Sequence, residues 1–417
     1  MAQSLPTDYK LRARDFPVGA QMLFVAFGAL VLVPLLTGLD PNVALFTAGV
    51  GTLIYQVLTK FQIPIFLGSS FAFIAPVMLC MQRYGMAATL GGLASVGVMY
   101  MLFAFIIKAR GTAFLKRFLP HIVTGPVIMV IGLILAPVGV YMAMGKTGDG
   151  AKVLYPENQA MIISMISLAV TVLVAIKGKG ILKLIPILCG IIAGYAVSLA
   201  MGIVDFAPVA AAPWFKLPNF VTPTFSLEAI LIIMPVAIAP IIEHIGSILA
   251  IGSVTGKNYI DKPGVHRSLM GDGVATTLAG FLGGPPLTTY AEVTGAVSLI
   301  KIYNPALMTW ASITAIGLAF IGKLGALLQT IPAPVMGGIM LLLFGAIMVV
   351  GLNSLVQDGQ DLMKPRNMVI VALIVVLGMG KMSFSFWGIH LEGIGLAGVA
   401  GVLLNALLPR DRAETES

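Results

Sequence analysis

Apolar residues run along this chain in blocks about as long as a membrane-crossing helix, broken at short intervals by charged residues and by Gly, Pro, Asn and Asp turns. Stretches of 18 or more apolar residues recur from about residue 19 to residue 409, and about 20 residues of helix cross the hydrocarbon of a bilayer. Cutting at the breaks predicts fourteen spans, at 19–38, 41–58, 63–81, 86–107, 119–141, 159–176, 184–201, 227–254, 269–286, 288–300, 305–328, 332–352, 367–383 and 387–408. The third and tenth are short or interrupted by Gly, Ser and Pro. The pattern predicts an all-α polytopic membrane protein.

Composition agrees: 58% of the residues are hydrophobic and 10% charged, against about a quarter charged in soluble proteins. A cytosolic enzyme and a disordered chain are excluded. The formal net charge of +8 does not point to nucleic acid, because the basic residues sit in short loops, where they set topology. Of the 25 Lys and Arg, 19 fall on the N-terminal side of the predicted topology and 6 (Arg83, Lys146, Lys152, Lys216, Lys323 and Lys381) on the other. This split puts both termini in the cytoplasm, and an odd number of spans would scramble it. The first apolar run follows Lys10, Arg12 and Arg14 with no small-residue cleavage site behind it, so it reads as a retained helix and not a cleaved signal. Cys80 and Cys189 both lie in apolar segments, which indicates neither a disulfide framework nor a metal cluster. No cofactor is implied.

Two features suggest an internal repeat. Leu119-Pro-His-Ile-Val-Thr-Gly125 opens the fifth span and Ile331-Pro-Ala-Pro-Val-Met-Gly337 the twelfth, with Pro, Val and Gly at the same spacing. Elements seven spans apart cross in opposite directions, so such a repeat is an inverted one, as in many secondary transporters. The interrupted segments are also seven apart. Ile63-Pro-Ile-Phe-Leu-Gly-Ser-Ser-Phe-Ala-Phe73 begins with strand-like alternation and passes into helix. Thr288-Thr-Tyr-Ala-Glu292 follows Gly283-Gly-Pro-Pro286, where the Pro pair rules out regular helix and Thr-Thr-Tyr favours extended backbone. Extended chain at membrane depth is tolerated where it lines a cavity or is buried in protein, and paired broken segments point to a midplane binding site.

Ionisable residues deep inside spans are functional candidates, and here they are Glu243, His244, Asp272 and Glu292. Lys323, Lys381, His390 and Glu392 lie near span ends, where long side chains reach the interface. Glu243, in Ile241-Ile-Glu-His-Ile-Gly-Ser247, must be protonated, paired or facing a wet cavity. His244 points to another helix face and reads as structural, as does Asp272. Glu292 falls near a half-helix N-terminus. Carboxylates that accept N–H bonds, half-helix amides that donate, and Phe71 or Tyr290 to stack on a flat ring suit a planar, neutral, amide-like heterocycle. An anion would meet two carboxylates. Nucleophile-base pairs, metal-spacing motifs and phosphate loops are not found, so the chain does not read as an enzyme.

From Phe24 to Pro409 the chain resembles the nucleobase-ascorbate transporter family, and within it bacterial uracil and pyrimidine permeases. The resemblance rests on Leu67-Gly-Ser-Ser-Phe-Ala-Phe73, Glu243-His-Ile-Gly246, the run from His266 through Gly271-Asp-Gly273 to Glu292, and Pro332-Ala-Pro-Val-Met-Gly-Gly338. It implies fourteen segments in two inverted seven-segment repeats, with segments 3 and 10 broken into strand and helix. It implies a core domain over 19–118 and 227–331 and a gate domain over 119–226 and 332–409, with tails at 1–18 and 410–417. It further implies proton-coupled nucleobase uptake by alternating access in a bacterial inner membrane, and a homodimer formed through the gate domains.

Position by position, the resemblance makes Glu243 the carboxylate that hydrogen-bonds the base and Glu292 the one that holds its opposite edge, both being proton-coupling residues. Phe71 becomes the stacking aromatic, Ala29 and Phe71 present backbone amides, and Tyr290 and Ala291 line the pocket. Where uracil permeases have a His four residues after the first Glu, this chain has Ser247; the usual Asn after the second Glu is Val293, and a twelfth-span Tyr corresponds to Phe344. Each replacement removes polarity, leaving Glu243 as the expected main proton carrier and Ser70, Ser247, Val293 and Phe344 as positions that tune the pocket. Uracil is the expected substrate. A purine or xanthine carrier is the alternative, and an anion exchanger or channel on the same fold is the rival from another class; Glu292 argues against both.

Overall fold

Two three-residue strands lie among the helices and organise the molecule. In the computed structural model, which describes residues 7–111, 120–357, 359, 361–380, 382–386 and 389–409, strand β1 (Leu67–Ser69) pairs antiparallel with β2 (Leu287–Thr289) in the register Leu67 to Thr289, Gly68 to Thr288 and Ser69 to Leu287. Helices α1 (Phe16–Thr37) and α2 (Pro41–Leu58) precede β1, and α3 (Ile74–Arg110) follows it. The turn between α1 and α2 is written locally: Gly38 takes the left-handed conformation after α1, and Asp40 caps α2 by accepting from Asn42 N–H at 2.8 Å. α3 joins the predicted third and fourth spans, with a break at Gly85, whose φ of 78° suits glycine.

The chain continues through α4 (His121–Ala143), α5 (Glu157–Lys177), α6 (Pro186–Ala200), the short α7 (Ala207–Ala211), α8 (Leu227–Ile233), α9 (Ile238–Thr255) and α10 (Val265–Leu282) to β2. Beyond it lie α11 (Ala291–Ile300), α12 (Ala306–Ala319), α13 (Gly322–Gln329), α14 (Ala333–Gln357), α15 (Pro365–Met379), the hairpin β3 (Ser383–Phe386) with β4 (Ile389–Glu392), and α16 (Gly393–Leu407). Among the described residues, seven helical stretches are long and apolar enough to cross a membrane, and four shorter apolar helices accompany them.

Three spans differ from expectation. The eighth is divided by a 3-10 turn at Met234–Ala237, where Pro235 lacks the N–H that a helix needs. The eleventh ends at Ala319, and α13 is a separate helix beyond a bridge between Phe215 and Ile321. The fourteenth starts at Gly393, because residues 389–392 pair as a strand instead. Lys116, Arg117, Lys381, Arg410 and Arg412 of the charge count, and Leu119 of the repeat motif, lie outside the described residues.

α10 packs on α2 and α3, and α12 on α1 and α2; α14 packs on α4 and α5, and α15 on α4 and α16. Glycines let backbones approach at both seams. A Cβ on Gly97 of α3 would lie 2.4 Å from the Gly273 carbonyl oxygen of α10, and one on Gly351 of α14 would lie 2.6 Å from that of Gly125 in α4. Small residues at helix contacts are how apolar helices associate where hydrophobic burial supplies no drive.

Candidate binding site at the crossing of the broken segments

The strand pair is anchored from three sides. Leu67 N–H donates to Thr52 Oγ1 of α2 at 2.9 Å, Ser69 Oγ donates to the Leu30 carbonyl of α1 at 3.2 Å, and Thr276 Oγ1 of α10 accepts from Leu287 N–H at 3.1 Å. Two further main-chain bonds extend the pairing, Ser70 N–H to Pro286 O at 2.9 Å and Tyr290 N–H to Phe66 O at 3.1 Å. Each strand then turns directly into helix, at Phe71 and at Ala291. Two helix starts thus meet in the interior of the molecule, each with amide N–H groups free of helical partners.

Tyr290 locks this arrangement. Its hydroxyl donates to the Ser69 carbonyl at 2.8 Å, and its ring lies over Gly68, where a Cβ would come within 2.3 Å of Tyr290 Cζ. The ring is 3% exposed, so it supports the strand pair from within the core and is not turned to open space.

Glu243 on α9 and Glu292 on the first turn of α11 behave differently. Both are exposed, on helices whose neighbouring positions Ile241 and Val293 are buried. α9 packs on α11. One turn beyond each, at Gly246 and Gly295, a Cβ would meet nothing within 4 Å. Phe71 is half-buried at the start of its helical turn. α1 packs on β1, α3 and α11, and Ala29 lies in it one residue before Leu30, the acceptor for Ser69. Ala291 is the first residue of α11. Phe71, Glu243 and Glu292 are thus predicted residues that are not buried.

Ser70, Ser247, Val293 and Phe344 are buried. Ser247 is 5% exposed, Val293 fully buried and Phe344 1% exposed. Phe344 lies against α4, its ring by Gly139 and its carbonyl by Gly132. Ser70 is buried at the cap of the Phe71 turn, and its hydroxyl has no protein partner among the described residues. The same holds for Thr288, Thr289 and Thr294 Oγ1, hydroxyls on or beside the broken segments that the sequence had not singled out; Thr288 and Thr289 read only as strand formers.

His244 and Asp272 form a separate buried pair. His244 Nδ1 donates to Asp272 Oδ2 at 2.8 Å, and its Nε2 lies 2.8 Å from Ser268 Oγ. This fastens α9 to α10 on a different face from Glu243. Among the described residues no cluster of three or more His, Cys, Asp and Glu side chains could hold a metal ion.

Apolar helices long enough to cross a membrane, two half-helices whose starts meet through a strand pair, and two exposed carboxyl groups beside them have the character of a membrane carrier. The chain belongs to the nucleobase-ascorbate transporter family: the xanthine and uracil permease model, described as a permease family, matches residues 14–385. The chain is 52% identical over 399 residues to a probable uracil permease of Haemophilus influenzae, covering 96% of this chain and 95% of that protein. It is 42% identical to the uracil permease of Bacillus subtilis over 97% and 96% of the two chains, and 40% identical to that of Escherichia coli over 94% and 91%. Among solved structures, the transmembrane domain of a cyanobacterial bicarbonate transporter, BicA, superposes with a TM-score of 0.68 at 14% identity, over 95% of this chain and all of that domain. A murine Solute Carrier 26 anion transporter gives 0.67 at 14% identity, over 96% of this chain and 69% of that one. At such identity the likeness is one of fold. The protein is a multi-pass membrane transporter and not an enzyme.

Proposed function

We propose that this protein imports uracil together with protons across a bacterial inner membrane by alternating access, with both termini cytoplasmic. The observation that carries the proposal is the pair Glu243 and Glu292, both exposed on two helices that pack together beside two half-helix starts. A uracil ring offers N–H donors and carbonyl acceptors along its edge and a flat face. Glu243 and Glu292 receive the N–H groups, main-chain amides at Phe71 and Ala29 meet the carbonyls, and the Phe71 ring covers the face. Tyr290 holds the strand pair, Ala291 shapes the wall, and Ser70, Ser247, Val293 and Phe344 tune the surroundings.

Proton coupling follows from electrostatics. Moving uncompensated charge through an apolar protein interior is costly, whereas a site neutralised by a proton and filled by a neutral base moves readily. Glu243 carries that proton, since Ser247 stands where a second titrating group would be. The architecture is read as two inverted seven-segment repeats. α1–α3 and α8–α13 form a core that moves against a gate of α4–α7 and α14–α16, and the gates pair in a homodimer. The separate helix seams of Gly97 with Gly273 and of Gly125 with Gly351 support two bodies.

The test is thermal stabilisation of the purified protein by uracil, thymine, xanthine, adenine and sulfate at two pH values, since a ligand that binds only the folded state raises its apparent stability. Selective stabilisation by uracil is expected. A response to purines alone would move the substrate to that class, and a response to sulfate alone would overturn the nucleobase reading. Uracil accumulation in proteoliposomes with and without an inward proton gradient tests the coupling.

A further inference from the structure

A cavity of about 430 Å³ lies between α3 and α8 on one side and α4, α15 and the start of α16 on the other. Its walls are apolar, formed by Pro76, Leu79, Ile134, Pro137, Ile232 and Met379 among others. Pro76 comes little more than a helical turn after Phe71, so the inner end of the cavity adjoins the half-helix that carries the candidate stacking ring. At its rim stands one carboxylate, Glu392, at the end of β4. Arg83, two residues before the Gly85 break in α3, reaches it with Nη2 3.6 Å from Glu392 Oε1. β4 also packs on α8. The rim is therefore bridged twice from the hairpin, once by packing on α8 and once by an ion pair to α3.

Gly246 and Gly295 face open space, and Leu249, Ser253, Ser298 and Leu299 further along α9 and α11 are exposed. The Arg83–Glu392 pair, by contrast, bridges α3 and the hairpin at the cavity.

We infer that Arg83 and Glu392 are the latch of the outer gate, and that the cavity beneath them is the outer half of the route by which a neutral planar base reaches Phe71. This rests on the alternating-access reading above. The pair's exposure suits the role: its side chains are 46% and 27% accessible, and ion pairs in water are weak. Such a pair biases the closed state yet yields in every cycle. The apolar wall behind it passes an uncharged ring and leaves hydrated ions outside.

The experiment places Arg83→Cys and Glu392→Cys together in a Cys80→Ala, Cys189→Ala background, in proteoliposomes, with a bifunctional methanethiosulfonate reagent joining the two thiols. Cross-linking is expected to arrest uracil uptake, addition of reductant to restore it, and uracil to go on stabilising the cross-linked protein. Uptake at the uncross-linked rate after complete cross-linking would overturn the latch.

A second measurement does not depend on transport. Ile134→Cys in the cavity wall, in the same Cys80→Ala, Cys189→Ala background, is labelled from outside intact cells with a membrane-impermeant maleimide. Arg83→Ala is expected to raise labelling about 1.5- to 5-fold, the range set by an exposed ion pair, and the swap Arg83→Glu with Glu392→Arg to return it toward the parent. Unchanged labelling in Arg83→Ala would overturn the proposal. If labelling rises while uracil neither binds nor is taken up, the latch stands and the substrate reading falls.

Discussion

Glu243 and His244, neighbours in sequence, leave α9 about 100° apart: the carboxylate is exposed, whereas the imidazole is fully buried with Nδ1 2.8 Å from Asp272 Oδ2. One residue of the pair stays exposed, and the other decides which way α9 is turned.

Glu243→Gln is expected to abolish uphill accumulation of uracil while retaining exchange of uracil down its gradient, because the amide keeps shape and hydrogen bonding but cannot carry a proton. Uptake into proteoliposomes with and without a proton gradient checks this, and full accumulation in the variant would remove Glu243 from coupling.

His244→Ala or Asp272→Ala is expected to destabilise the protein by about 1–3 kcal/mol for each buried polar group left without its partner, more where that group is charged. Thermal unfolding reads the loss. In a double-mutant cycle the two substitutions should cost less together than the sum of the singles, as befits residues in contact; simple additivity would show that the pair is not coupled.

Phe71→Ala is expected to weaken uracil binding by about 1–3 kcal/mol, the range for loss of one base–aromatic stack. Calorimetric titration measures it, and an unchanged affinity would mark the ring as core packing.

Tyr290→Phe is expected to cost about 1–3 kcal/mol of stability by leaving the Ser69 carbonyl without its donor. Gly68→Ala is expected to be worse, since its Cβ would collide with the Tyr290 ring. Adding Tyr290→Ala should relieve part of that collision, which comparison of the melting temperatures would reveal.

Much of the fold was legible because apolar blocks of helical length can be satisfied in a membrane in few ways. The strands at Leu67–Ser69 and Leu287–Thr289 were visible as a loss of helical character around Gly-Ser-Ser and Pro-Pro-Leu-Thr-Thr. The hairpin at Ser383–Phe386 and Ile389–Glu392 was not. Its residues are apolar enough to continue the flanking helices, and only pairing between the strands takes them out of helix.

Within the candidate site, Glu243 and Glu292 stood out because a carboxylate in an apolar block demands an explanation. Ser70, Thr288, Thr289 and Thr294 did not, since hydroxyls commonly bond nearby backbone, and only the folded structure shows that these four lack a protein partner among the described residues. Tyr290 was read as lining the pocket; its contacts with Gly68 and Ser69 turn it inward.

By itself the sequence determined that the chain lives in a membrane, where its helices run, where two of them break, and which four ionisable groups lie deep. Local chemistry is enough for those, because hydropathy and main-chain preferences act over a few residues. Only the tertiary structure decided that the two breaks pair with each other across more than two hundred residues of chain, that Glu243 stays exposed while His244 closes onto Asp272, and that Arg83 meets Glu392 over an apolar chamber. Those relations depend on which helix faces which, and packing between distant segments is not encoded in any one stretch of residues.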